Sequence, residues 1–408
     1  MGQVLRVPSF GRDARVNTLL GCGHFLSHFY ILCLPPMFIA WQHAFGVSFA
    51  ELGLSVALMS GTSALAQTPV GFLVDRYGAR RFLIGGTLLM TLSISAMGIA
   101  TAYWQVVALA MLSGLGNSVI HPADYAILSG SIDRAKIGRS FALHTFVGHV
   151  GFAAAPPATA ALMLLLGWRG TLLFVGLLGI PVVLAILWQS RILTDQKRTK
   201  PKEAAAQGFG AKLLLSPSIL LFFAFFMVSA MATAGIQSWL ITVLHQAHGL
   251  ALEAASSGLT LYMIGMMSGV LIGGWVADRT DRHLAFAVIL TLVGAVLLLL
   301  VGVLALPYLP LLAALFLGGI MVGASRTPRD VMVKDAAPPG QMGKVFGFVS
   351  AGLSLGTAIM PVPYGMLIDA GRPDLVLVVV SALLVVSLLF VGGARASGRA
   401  APLPVAAE

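Results

Sequence analysis

Gly71-Phe72-Leu73-Val74-Asp75-Arg76-Tyr77-Gly78-Ala79-Arg80-Arg81 is a short charged segment between two apolar runs, 50–73 and 82–101. Each run is about the 20 residues that a helix needs to cross a hydrocarbon core of about 30 Å. The same alternation fills the chain. Its 408 residues are 58% hydrophobic and 10% charged, with a mean hydropathy of +0.93, whereas a soluble domain carries roughly 25% charged residues. Twelve apolar runs are read in all, at 17–41, 50–73, 82–101, 105–129, 139–166, 169–190, 216–244, 252–277, 284–305, 308–330, 344–368 and 375–393. The expectation is an all-α membrane protein with twelve transmembrane helices. The long polar interruption at 191–212 divides it into an N-terminal bundle over 1–190, a linker over 191–212 and a C-terminal bundle over 213–408.

The formal charge of +10 does not mark a nucleic-acid binder, because the 25 Lys and Arg residues lie in short loops rather than on one basic face. They report topology instead. With both termini in the cytoplasm, all of the 25 except Arg169 and Arg372 lie on or beside the cytoplasmic side, as the positive-inside rule requires. The basic N-terminus runs into a long first span without a cleavage pattern, so an uncleaved inner-membrane protein is expected. Cys22 and Cys33 are eleven positions apart on that span. That separation is about 16 Å along a helix, too far for a disulfide.

The halves repeat. Gly71-x-x-Val74-Asp75-Arg76 recurs as Gly274-x-x-Ala277-Asp278-Arg279, and His121-Pro122-Ala123-Asp124 as Thr327-Pro328-Arg329-Asp330. Gly138-Arg139-Ser140-Phe141 recurs as Gly343-Lys344-Val345-Phe346, and Pro156 then falls on Pro361. Because six is even, each half starts and ends on the same side, which gives parallel repeats around a midplane site.

The segment from Gly71 to Arg81 resembles the signature loop between the second and third helices of the major facilitator superfamily. The resemblance implies two six-helix bundles, alternating access by a rocker switch, and a gating role for Gly71, Asp75, Arg76, Gly78 and Arg80, with Asp278 and Arg279 in the degenerate copy. Gly71 would let the second helix pack closely, Asp75 would cap a neighbouring helix, and the arginines would pair with acids at other helix ends. The stretch Gly114-Leu115-Gly116-Asn117-Ser118-Val119-Ile120-His121-Pro122, with Gly23-His24-Phe25-Leu26, resembles fosmidomycin-resistance-type exporters within the superfamily. The mid-helix-4 arginine of generic drug-proton antiporters is absent.

Ionisable residues inside a span are costly and so are candidates for function. His24 and His28 share a face of helix 1, and His121, Asp124 and Asn117 share a stripe of helix 4. The resemblance places helices 1 and 4 on one aqueous vestibule. An imidazole beside a carboxylate suits a carrier that loads and releases a proton. Asp124 is read equally as a gate partner of Arg76 or Arg80. His144, on a stripe with Gly148, Gly151 and Ala155, is read as packing. Metal binding is set aside: zinc sites gather three or four ligands at fixed spacing, and His24, His28, His121 and Asp124 are the set that approaches this. In the second half Arg326 is read as pairing with Asp330 or binding an anion, while Gln237 and Trp239 on helix 7 lie at substrate depth. Pro35-Pro36, Pro156-Pro157 and Pro361-x-Pro363 would kink their helices.

No catalytic constellation, HExxH or phosphate loop is found, so neither an enzyme nor an ATP-driven pump is expected. The expected function is proton-coupled secondary transport of a small solute, leaning to efflux of a drug-like or hydrophilic compound. The alternative is proton-linked uptake of a small organic anion through Arg326. The expected partners are a small molecule, protons and the lipid bilayer, without nucleic acid or cofactor, in a monomer.

Overall fold

A computed structural model describes residues 11–133, 136–194, 213–337 and 342–400. Among them all regular structure is helical. The crossings are α1 Arg12–Phe45, α2 Phe49–Tyr77, α3 Ala79–Met97, α4 Tyr103–Ser131, α5 and α6 within Arg139–Trp188, α7 Pro217–His248, α8 Leu252–Ala277, α9 His283–Val303, α10 Tyr308–Ala336, α11 Gly347–Asp369 and α12 Asp374–Ala394. In a bilayer each backbone N–H and C=O must be satisfied within its own segment, and helices do this. Each expected span falls on one of these helices. Linker residues 195–212 lie outside the described residues, as does Arg134.

Arg139–Trp188 contains 50 residues, about 75 Å at 1.5 Å per residue and too long for one crossing. Gly167 divides it, with φ 62° and ψ 176°, a conformation that glycine adopts without a Cβ penalty. Arg169 then holds the turn by donating to the carbonyls of Ala100 at 2.6 Å and Gly98 at 3.3 Å. The other arginine expected outside, Arg372, pairs with Asp374 at 2.8 Å.

The helices break where proline removes a donor. α1 passes through a 3₁₀ turn at Pro35–Met37, and α11 restarts at Pro361. Pro156 and Pro157, by contrast, lie in helical backbone: Gly167 is the residue of that long helix with non-helical angles. α4 is interrupted between Asn117 and Ile120. Pro122 has no N–H for the Ser118 carbonyl, and the ladder tightens to a Val119-to-Gly116 bond of 3.3 Å. The repeat shows in the same place, since α10 is interrupted at Ser325, just before Pro328.

The bundles meet tightly at the end away from the chain termini. The first N–H groups of any helix lack intrahelical acceptors. Here the Asp369 carboxylate at the end of α11 takes those of Phe49 at 2.7 Å and Ala50 at 2.8 Å, at the start of α2. Glycines allow the approach: a Cβ on Gly53 would strike the Pro361 carbonyl, and one on Gly365 the Phe49 carbonyl. The Trp239 indole donates to the Pro361 oxygen at 2.9 Å and packs on Phe38 and Phe49. Farther along α2 the contact loosens to 3.8 Å between a Gly61 Cβ and Ala358, and Gly71 meets nothing within 4 Å. The close packing expected of Gly71 is therefore found at Gly53 instead.

Asp369→Asn removes the charge from both bonds. A hydrogen bond to a charged group contributes about 1.5–3 kcal/mol, so this end should open at least tenfold more often, about 1.4 kcal/mol. Spin labels at His43 and Ala370 should show a longer-distance population that the parent protein lacks; an unchanged distribution would mean that the carboxylate does not hold the seal.

Candidate functional site

A cavity of about 230 Å³ lies between the bundles. α1 contributes Leu32 and Pro35 to its wall, α2 Ser60, Ser63 and Gln67, α4 Asn117 and His121, α5 Phe152, α7 Gln237 and Ser238, and α11 Ser354 and Thr357. Asn117 donates to the Ser63 hydroxyl at 3.2 Å, tying α4 to α2. The α4 interruption thus sits on the cavity wall, flanked by Asn117 and His121. The lining is rich in hydroxyls and amides and draws on both bundles, which suits a small polar solute.

Behind His121 lies a buried cluster of imidazoles. The His24 ring stacks on His144 at 3.9 Å between centroids and meets His28 at 4.3 Å and His121 at 5.1 Å edge-on. His144 Nε2 is 3.5 Å from an Asp124 carboxylate oxygen, and Asp124 is 0% exposed. The His24 Nδ1–H donates to the His144 carbonyl at 2.8 Å; a carbonyl accepts only, which fixes this tautomer. Seven buried atoms of the cluster have no hydrogen-bond partner: His24 Nε2, His28 Nδ1, His121 Nδ1, both Asp124 oxygens and both His144 nitrogens. Buried polar groups left unpaired cost about 1–3 kcal/mol each, and charged ones more. His24, His121 and His144 each offer a ring nitrogen within 4.8 Å of the others, which makes the cluster a candidate cation site.

Sequence reasoning placed His24, His28, His121 and Asp124 together, and the fold brings them together. His144, read from the sequence as packing, stacks on His24 and is 3% exposed. Asp124 and His144 lie similarly far from the short connection between α4 and α5 and meet at one depth. Asp124 meets His144 rather than serving Arg76 or Arg80. His149, farther along α5, donates its Nδ1–H to the Thr145 carbonyl at 2.8 Å.

Other expected residues sit elsewhere. Gln237 lines the cavity, but Trp239 is fully buried and its one donor is used at the α11 seal. Arg326 does not pair with Asp330, which Arg329 holds at 2.8 Å. It lines a smaller cavity, about 30 Å³, inside the second bundle with Ser229, Thr233 and Thr291. At the signature loop Gly78 ends α2 with φ 96°. Arg80 finds the Ser190 carbonyl at 2.8 Å instead of an acid, and Arg76 lies over the Tyr77 ring. In the copy Arg279 lies over Trp275 and donates to its carbonyl at 3.1 Å, while Asp278 is exposed.

The small residues of α5 make the cluster possible. A Cβ on Gly148 would come within 2.5 Å of His24 Cε1 and 2.9 Å of His28 Cε1, and one on Gly151 would strike the Phe25 carbonyl. Overpacking costs about 1–3 kcal/mol. Gly148→Val should destabilise the folded protein by about that amount, read as a lower melting temperature in detergent, whereas an unchanged melt would show that α1 and α5 do not pack here as described.

A family model described as Major Facilitator Superfamily matches residues 20–308 and 244–406. The fosmidomycin resistance protein of Escherichia coli (strain K12) is 25% identical over 358 residues, spanning 85% of this chain and 84% of that protein. The membrane sensor protein UhpC of Salmonella typhimurium is 24% identical over 78% of this chain and 77% of its own length. The probable L-galactonate transporter of Escherichia coli (strain K12) is 32% identical over 143 residues, 35% of this chain and 31% of that protein. Among solved structures, a bacterial homologue of the human lysosomal transporter Spinster, in an inward-facing and unoccupied conformation, superposes with a TM-score of 0.77 at 15% identity, over 96% of this chain and 97% of that one. The two bundles, the cavity between them and the match along the chain make this protein a member of the major facilitator superfamily.

Proposed function

We propose that the protein is a proton-coupled secondary transporter that moves a small polar or amphipathic solute out of the cell. It would sit in the inner membrane as a monomer, with both termini in the cytoplasm. One observation carries this reading: His121 faces a solute-sized cavity on one side and a buried imidazole–carboxylate cluster on the other. Solute in the cavity and a proton on the cluster would share one side chain, so the state of one would be felt by the other. Separation of the α2–α11 contact would expose the cavity to one face, and its closure would let the opposite end open in turn. The likeness to the fosmidomycin resistance protein supports export. Uptake of an organic anion through Arg326 is weaker, because Arg326 lines the inner cavity of the second bundle and not the central one.

Proteoliposomes with an imposed pH gradient test this directly, with phosphonates, organic acids and amphipathic drugs as solutes. One compound should dissipate the gradient in the wild type, with the sign of its flux giving the direction. His121→Ala should lower net coupled flux at least about tenfold, about 1.4 kcal/mol on the coupled cycle, while solute exchange without a gradient persists. Equal net flux in both proteins would remove the cluster from the mechanism; binding without flux in the wild type would favour a sensor, as the relative UhpC is named.

A further inference from the structure

We propose that the cluster behind the cavity is a binding site for one divalent transition-metal ion, with His24, His121 and His144 as ligands and Asp124 as the neighbouring carboxylate. The inference rests on reading this cluster as a cation site and extends that reading from protons to metals.

Each of the three histidines offers a ring nitrogen, and these atoms lie within 4.8 Å of one another. Around a tetrahedral ion with bonds of about 2.0–2.1 Å, neighbouring nitrogens are about 3.4 Å apart. The His24 and His144 rings stack at 9° between planes, so binding requires them to turn about their side-chain bonds, exchanging the stack for two lone pairs that converge on the ion.

The surroundings are those a metal site requires. A metal-ligating histidine almost always donates its other ring N–H to a carbonyl or carboxylate, which turns a lone pair toward the ion. His24 does so: its Nδ1–H is used on the His144 carbonyl at 2.8 Å, and its Nε2 is buried with no partner. His144 and His24 are 3% and 2% exposed. The Asp124 carboxylate, 3.5 Å from His144, supplies negative charge where a dication would otherwise be isolated. The three ligands come from α4, α5 and α1, so an ion would tie these helices together.

Ligand chemistry selects the ion. Imidazole suits zinc, cobalt, nickel and copper, whereas magnesium and calcium take oxygen ligands. His121 lies on the cavity wall and gives an entry path. A bound ion would occupy the same nitrogens that carry the proton, so the metal would exclude the proton and arrest coupled transport.

The test is titration of the purified full-length protein, its affinity tag removed, with Co2+ and then Zn2+. We expect one Co2+ per chain, a visible spectrum of a four-coordinate site, and displacement by Zn2+ but not by Mg2+. Loss of an outer-shell partner weakens a metal site about 10–100-fold, so His24→Ala and His144→Ala should each weaken binding at least about 100-fold. His149→Ala should leave it unchanged. Asp124→Asn, closer in shape to the parent, covers the case in which the alanine variants do not fold. No stoichiometric binding by the wild type, or binding that survives His24→Ala, overturns the proposal. Binding is read without transport: metal binding without coupled proton flux would sink the proton reading alone, and the reverse would sink the metal site alone.

Discussion

No water completes a hydrogen bond inside hydrocarbon, and this constraint governs both the fold and its exceptions. It makes each crossing a helix, because only a helix satisfies its backbone from within. It also makes each break informative. The Pro122 interruption of α4 lies between Asn117 and His121, which line the polar cavity; irregular backbone at membrane depth is tolerated beside such a cavity. The histidine cluster is the larger exception. Seven buried nitrogen and oxygen atoms of His24, His28, His121, Asp124 and His144 make no hydrogen bond, a costly arrangement inside hydrocarbon.

The two ends of the molecule differ in how the bundles meet. At one end the Asp369 carboxylate, the glycines at 53 and 365 and the Trp239 indole join α2, α7 and α11 through backbone atoms. Such a contact depends on helix ends and carbonyls, so it forms or separates as a unit rather than yielding gradually. From Val56 onward along α2 the cavity begins, and Ser60, Ser63 and Gln67 line it. A gate of this kind at one end of a polar chamber is what alternating access requires.

Much of the fold was legible because hydropathy and charge are collective signals. Twelve apolar runs and the clustering of arginine gave the spans and their pairing, and the repeats Gly71/Gly274 and Pro122/Pro328 gave the twofold arrangement. The breaks at Pro35 and Pro361 followed from proline chemistry, but Pro156 and Pro157 did not break α5, and Gly167, with its positive φ, turned the chain instead. The site was legible in part. Periodicity put His24 beside His28 and His121 near Asp124, yet pairing across helices depends on rotation about each axis, which a single sequence fixes loosely. Rotation also decides Trp239: the indole expected at the substrate donates to the Pro361 carbonyl instead, while His144, read as packing, stacks on His24 beside Asp124.

Proton coupling as proposed requires the cluster behind His121 to take up and release protons as the bundles move. The most direct measurement is charge displacement across a supported membrane carrying the purified protein, after a rapid pH step with no solute present. A transient current is expected from protons binding inside the membrane field, lost in Asp124→Asn combined with His144→Gln. A wild-type protein that moves no charge on the pH step, while still transporting its solute, would contradict it.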